Sequence, residues 1–471
     1  MRGFIWAAAI WAVLIVAVAP GGFRAFIQTG RVRISRQHLA ILLVLLGTHS
    51  NAARTGAEDV LANPLVVETM LRGVLDVLAL ALVAPLVSRG IRRAGATRGL
   101  VSLGALTVYV VVAGASVLYS VAPLPTAGKV FELGVGLAIV WAIAMDRESG
   151  DRLRHAIRFV LQLEIALLVV AVVGFLAMPG IFSELQNRPG FFFPATMVAP
   201  YTHSNGLSAA GALIAVYAVA RALEPLDRAS RWKWGAIGLL GTVAMLLASG
   251  RQGLVIWVVA IAVLLWSRRR RWFLGFVPAA VLLALTQWNA IWASIWEIAA
   301  RDQQPGTLAT WSGRLTYWDA AVQSWLDHPW TGYGFGVGGR FVALRGIGED
   351  SVSSLHSGYM EALVGLGLLG VVPLAVAVIR TAAWCLRRVG DAAETPYAIL
   401  IVPLLLHSLV SLGMAGWLTA DFIIFACLAA MGDTERRART RRRALQEGRA
   451  THLPPGPSPA PAPLPTAAVE P

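Results

Sequence analysis

The sequence predicts an all-α polytopic membrane protein, a helical bundle of about 12–13 spans with one sizeable external helical loop. Three observations carry that reading. The 471 residues are 57% hydrophobic and only 14% charged, with a mean hydropathy of +0.65, whereas a soluble domain holds about 25% charged residues. Almost uncharged apolar runs such as Leu103–Val117 and Leu254–Trp266 recur along the whole chain. Between them, arginines gather in every second loop, as a cytoplasmic excess of basic residues requires.

Taken in order, the candidate spans are 4–20, 38–49, 62–87, 100–118, 130–145, 157–178, 205–223, 234–249, 252–266, 273–290, 357–379, 396–413 and 416–431. The first reads as a retained helix rather than a signal peptide, since it lacks a clear small-x-small cleavage site and further spans follow. The chain thus divides into transmembrane helices with short loops (1–290), an external loop (291–356), C-terminal transmembrane helices (357–431), and a basic, then Pro/Ala-rich cytoplasmic tail (432–471). The Pro-rich end of that tail cannot bury a core and reads as disordered.

Orientation follows from the arginines. Arg89, Arg92, Arg93 and Arg98 crowd one loop, and Arg147, Arg152, Arg154 and Arg158 another. Arg221, Arg228 and Arg231, then Arg268 to Arg271, then Arg380, Arg387 and Arg388 follow, and the tail adds Arg436 to Arg443. All alternate onto one side, which places 119–129, 179–204, 250–251, 291–356 and 414–415 outside. The net charge of +14 would suggest nucleic acid in a soluble protein; here it records this Arg excess, and nucleic acid is not an expected partner. Cys385 and Cys427 both lie in or beside apolar segments and form no disulfide framework.

Within the external loop, Ser312 reads as an N-cap and Arg314 to Trp325 as an amphipathic helix with Trp318, Ala321 and Trp325 on the Arg314 face. Pro329 ends it. The run Gly332-Tyr-Gly334-Phe-Gly336-Val-Gly338-Gly339 has superficial GxG spacing, but no buried strand precedes it, so it reads as a turn rather than a dinucleotide loop. No Asp-x-Asp or His/Asp cluster with metal spacing occurs in an external loop, so neither metal nor cofactor is expected.

Several short pieces, in a fixed order and on a fixed side, resemble one superfamily. They are Leu118-Tyr-Ser-Val-Ala-Pro123 after an early span, His203-Ser-Asn205 before a span, and Ser249-Gly-Arg251 at an external turn. Ser312-Gly-Arg314, Trp318, Pro329-Trp-Thr-Gly-Tyr-Gly334, and Leu355-His356 before a Gly-rich helix complete the series. Over roughly residues 100–431 this resembles the O-antigen ligase / O-antigen polymerase (Wzy_C-type) superfamily of GT-C-like integral membrane glycosyltransferases. Ser357 stands where the family usually has Asn, and Gly365 where an acidic residue is common. The resemblance implies metal-independent transfer of a glycan from an undecaprenyl-diphosphate carrier to an acceptor hydroxyl, at the outer face of the cytoplasmic membrane. It leaves open a ligase or a polymerase, and the implied partners are the lipid-linked glycan, an acceptor glycan or glycolipid, and membrane lipids. A transporter or flippase for such a lipid stands third. It should place its charges along a central path between broken helices, whereas here the unusual polar residues collect at the external face.

Set beside that chemistry, the external residues take roles. Arg251 at a tight turn and Arg314 at a helix start suit a diphosphate, with headgroup snorkelling or pairing with Asp319 as the plainer alternatives. Arg188, in Asn-Arg-Pro-Gly, is a weaker third. His356 is the candidate general base, an unperturbed imidazole having a pKa near 6.5, and Glu349, Asp350 and Glu361 are its rivals. His203, Asn205, Trp318 and Tyr359 are expected to line a substrate groove. Inside the spans, His407 reads as an interhelical hydrogen-bond partner, and Glu68, Arg72 and Asp76, four residues apart, as a mutually neutralising stripe.

Overall fold

The computed structural model describes residues 35–50, 67–92, 100–146, 149–184, 195–268, 313–349 and 352–451. These form an all-α bundle whose longer helices are α1 (Arg36–Ser50), α2 (Val67–Arg92), α3 (Val101–Ala115), α4 (Pro123–Ala144), α5 (Ser149–Ala177), α6 (Ser204–Ala222), α7 (Arg228–Ala248), α8 (Arg251–Arg268), α9 (Arg314–Asp327), α10 (Gly358–Arg388), α11 (Ile401–Val410) and α12 (Ala420–Thr451). Among the described residues, Ser183–Glu184 and Thr196–Met197 form a two-residue antiparallel ladder, with an isolated bridge between Ala199 and Thr202 beside it. Six described helices are long and apolar enough to cross a membrane, namely those at α2 to α6 and α10, and Arg251–Ser267 and Thr395–Val410 are shorter apolar helices. The spans expected at 4–20 and 273–290 lie outside the described residues, as do Arg188, Ser312 and Asp350.

The arginine blocks and the candidate site residues fall at opposite helix ends. Helices α2 and α10 finish on Arg89 and Arg92 and on Arg387 and Arg388, and α6 carries Arg221 in its last turn. His203, Arg251 and His356, by contrast, stand at or just before the first residues of α6, α8 and α10. At the arginine-rich end the C-terminal helix locks the bundle. Asp433 of α12 accepts the backbone N–H groups of Ser102 (2.7 Å) and Leu103 (3.0 Å) and the Ser102 hydroxyl (2.9 Å). A carboxylate from the far end of the chain therefore caps α3, a contact of a kind that stabilises by about 1 kcal/mol. Glu435 accepts from Trp384 Nε1 at 2.7 Å and pairs with Arg388. Helix α12 runs on to Thr451, so the basic stretch after the span is helical.

Two expectations about buried charge separate here. His407 does bond between helices, its Nδ1 lying 2.5 Å from Asp421 Oδ2. On α2, Arg72 lies within electrostatic reach of Asp76 but makes its close ion pair elsewhere. Arg72 reaches across to Glu132 of α4 at 2.5 Å, and neither carboxylate oxygen of the buried Asp76 has a hydrogen-bond partner among the described residues. The Glu68 side chain lies outside the described residues. A spacing of four permits pairing along one helix, but a short contact to a facing helix ties two elements together, and this one is made instead.

The feature that shapes the site is a break in α10. Gly367 takes a positive φ of 56° inside the helix, a conformation open to glycine. The glycine-rich run after α9 fills the gap. Tyr333 and Gly334 N–H donate to the Val364 and Gly365 carbonyls at 3.0 and 2.8 Å, and Leu368 and Leu369 N–H donate to Pro329 and Trp330 at 2.9 and 3.1 Å. Backbone groups freed by the break are thereby satisfied inside the protein, as a membrane interior demands. The backbones approach so closely that a Cβ on Gly365 would lie 3.0 Å from the Gly334 carbonyl oxygen. That contact is a physical reason for glycine at the position where the resemblance leads one to look for an acid.

Candidate active site: four helix starts around a histidine

Each site residue is placed by a helix start. Ser249 ends α7 in the left-handed conformation, φ 54°, so the chain reverses at once and Arg251 opens α8. The turn is pinned to α6: Ser208 Oγ donates to the Gly250 carbonyl at 2.9 Å and Gln252 Nε2 to the Asn205 carbonyl at 2.9 Å. A Cβ on Gly250 or Gly253 would strike Ser208 at 2.5 or 2.1 Å, so only glycine lets α6 and α8 meet this closely. His203, the exposed N-cap residue of α6, is brought beside the same turn.

Helix α9 begins at Arg314 as expected, but its cap is Gly313, in the left-handed region with φ 84° and no side-chain hydrogen bond. The expected cap, Ser312, lies outside the described residues; a left-handed glycine lets the chain enter the helix abruptly. The expected inner face is the packed one. Ala321 is buried and clusters with Leu344, Leu355 and Val364, with Trp325 against them. Trp318 Nε1 donates to the Leu355 carbonyl at 3.0 Å, so its polar edge fixes the residue before His356. Tyr359 lies in the first turn of α10, and its hydroxyl reaches the Leu405 carbonyl of α11 at 3.5 Å.

His356 precedes α10, whose cap is Ser357, accepting from Met360 N–H at 3.4 Å. His356 has a φ of 51°, a conformation uncommon for a residue other than glycine. It is half-buried. Burial, then the Arg314 guanidinium, then His203 push its imidazole down to about 4. Arg314 is itself pushed down by burial and by Arg251. His203, Arg251, Arg314 and His356 therefore share one electrostatic neighbourhood, and the starts of α6, α8, α9 and α10 meet around it.

The rival bases fare differently. Glu361 is buried at 4% exposure, its Oε1 accepting the Leu355 N–H at 2.8 Å. Glu349 accompanies Tyr317, whose phenol burial and that carboxylate push up, and Asp350 is outside the described residues. The sequence argument for His356 rested on an imidazole pKa near 6.5 against carboxylates near about 4. The fold removes that margin, and position replaces it. Among the described residues no group of three or more His, Cys, Asp and Glu is placed to hold a metal ion.

Such a site can do two things chemically. Two guanidiniums and several helix N-termini concentrate positive potential suited to an anion with more than one charged oxygen. Beside them, a neutral imidazole can accept a proton.

Residues 235–375 match the family model described as O-Antigen ligase, Wzy_C. Over that segment the chain is similar to the O-antigen ligase family. The matched segment holds the Ser249–Arg251 turn, Arg314, the glycine-rich run, His356 and the break at Gly367. No curated protein matches the chain. The family implies O-antigen ligase or polymerase-type activity, a glycosyltransferase-like reaction on lipid-linked glycans in a membrane setting.

Sequence reasoning passed over Lys129, Ser208 and Gln252, and took Glu361 only as a rival base. Lys129 carried a readable signal. It is one of two lysines in an arginine-rich chain, and in the fold its Nζ donates to the Gly336 carbonyl at 2.6 Å and lies 4.2 Å over the Trp417 ring.

Proposed function

We propose that the protein transfers a glycan from an undecaprenyl-diphosphate carrier to an acceptor hydroxyl at the outer face of the cytoplasmic membrane, as an O-antigen ligase-type enzyme. The observation that carries this reading is the meeting of Arg251, Arg314 and His356 at converging helix starts. Arg251 and Arg314 hold the carrier diphosphate, with Arg188 a candidate third contact. As the anomeric carbon–oxygen bond to the diphosphate breaks, its electron pair passes to a phosphate oxygen, and the guanidiniums meet the charge that develops there. The acceptor oxygen forms the new bond to the anomeric carbon and gives its proton to His356. The diphosphate departs as a stable anion, so a base is needed and an acid is not. His203 and Asn205, at the exposed start of α6, are candidate sugar contacts, and Trp318 holds the loop that carries the base. The reaction as written uses no metal.

A polymerase shares every one of these steps and differs in its acceptor, the growing chain. Glycan profiling of a deletion strain separates the two. Free polymer accumulating without capped product is the expected result for a ligase; single repeat units accumulating would make the chain a polymerase.

The orientation has its own expected outcome. With Arg345→Cys and Arg439→Cys made one at a time, an impermeant thiol reagent should label Arg345→Cys in intact cells and spare Arg439→Cys. Both positions are exposed, and the native Cys385 and Cys427 are buried. Labelling of the C-terminal position in intact cells would reverse the topology and remove the site from the outer face.

A further inference from the structure

We propose that Glu361 is a positioning residue, holding the His356 loop in its strained conformation from beneath. The inference rests on the functional reading above, and adds a residue to it. Three observations meet at this carboxylate. First, it is buried, and Oε1 accepts the Leu355 N–H at 2.8 Å. The donor is the N–H of the Ser354–Leu355 peptide, so this bond fixes the plane just before the one that enters His356. Secondly, His356 has a φ of 51°, and a non-glycine residue persists there only when its surroundings over-determine it. The neighbouring holds are few and specific: Trp318 Nε1 on the Leu355 carbonyl at 3.0 Å and the longer bond from His356 N–H to Ser354 Oγ at 3.4 Å. Leu355 is thus held at both ends of its backbone, by Trp318 of α9 at the carbonyl and by Glu361 of α10 at the N–H.

Thirdly, the fold makes room for the carboxylate and supplies its counter-charge. A Cβ on Gly339 would sit 2.6 Å from Glu361 Oε2 and 2.8 Å from Oε1, so a side chain there, where the short helix Gly339–Leu344 passes over it, would push the carboxylate from its place. Lys129 acts electrostatically on Glu361, and is itself tied to the glycine-rich run through the Gly336 carbonyl. A buried carboxylate needs such a partner and a donor. Here the donor chosen is the backbone of the catalytic loop. Glu361 takes no proton in this account. It acts through the geometry of His356, not on the substrate.

The test uses the full-length protein, purified, with the lipid-linked glycan that accumulates in a deletion strain as donor and membranes of that strain as acceptor. Glu361→Ala, Glu361→Gln and His356→Ala are compared. Gln keeps an oxygen acceptor of the same reach, and Lys129 retains Glu132, one turn along α4, within electrostatic range. Glu361→Ala is expected to lower kcat by about 10²-fold with the donor KM close to wild type, the penalty of a base displaced by an ångström or so. Glu361→Gln should recover most of that loss and leave the acid limb of the pH–rate profile where it was. A purely structural role would lower the yield of folded protein and leave the kcat of the folded fraction unchanged. Wild-type kcat in Glu361→Ala beside a dead His356→Ala would overturn this inference alone. A folded but inactive Glu361→Gln would overturn it too, because the charge rather than the acceptor would then matter; this variant decides the question if the Ala protein does not fold. Full activity in His356→Ala would instead sink the functional reading on which it rests.

Discussion

His356→Ala is expected to leave the protein folded and donor-bound while transfer falls by about 10²–10⁴, the usual contribution of a general base. The pH dependence gives the assignment a second edge. Burial, Arg314 and His203 hold the imidazole at about 4, so at neutral pH it is unprotonated and ready to accept. Since kcat/KM reports the free enzyme, its acid limb should lie toward pH 4 and not near 6.5. A bound diphosphate sets negative charge against Arg314, and that favours the protonated imidazole. The acid limb of kcat should therefore sit at a higher pH than that of kcat/KM. Stability follows the same group with a worked sign. The folded imidazole binds its proton less readily than the unfolded one, so the unfolded state holds more protons between about pH 6.5 and 4. This residue's contribution thus weakens the fold as pH drops through that window, and His356→Ala should flatten the loss. If His356→Ala transfers glycan at the wild-type rate while Glu349→Gln or Asp350→Asn is dead, the base is a carboxylate.

Replacement of Arg251 or Arg314 should have an effect of similar size by another route. Either Ala variant is expected to lose at least about 10²–10³-fold in turnover, the scale for removing one preorganised donor from a developing oxyanion. Lys should rescue poorly at both, because it supplies a point charge without the planar fork that takes two phosphate oxygens at once. Near-normal rates in both Arg→Lys variants would show that charge alone suffices and that two-pronged contact is wrong. The electrostatics sharpen the expectation. Arg251 already depresses Arg314, so the two cations repel until an anion lies between them, and a diphosphate relieves that repulsion as it binds.

What the sequence made legible was set by signals that survive in one dimension. Apolar length located the described helices, though α4, α5, α7, α10 and α12 each run six or more residues beyond the expected bounds. Arg251, Arg314 and His356 stood out by residue type at a turn, a helix start and a span's edge. What escaped depends on contacts between distant segments. The break at Gly367 is invisible in a run of apolar residues and glycines, because it exists only where Pro329 and Trp330 arrive to accept the freed N–H groups. The Glu68, Arg72 and Asp76 spacing suggested a closed stripe, but Glu132 of a facing helix captured the arginine. Ser312 looked like a cap by residue type, whereas the helix starts from a left-handed Gly313. The expected basicity of His356 was the model-compound value, and only the fold could bring Arg314 and His203 against it. Glu361, read from its residue type as a rival base, lies buried with Oε1 on the Leu355 N–H, a contact that no spacing in the sequence announces.

The central claim is a division of labour, in which Arg251 and Arg314 bind the diphosphate and His356 takes the proton. The most direct test is the binding of undecaprenyl diphosphate to the purified wild type, to an Arg251→Ala/Arg314→Ala double variant and to His356→Ala. The account predicts wild-type affinity in His356→Ala and loss of binding in the double variant. Wild-type affinity in the double variant, or lost binding in His356→Ala alone, would contradict it.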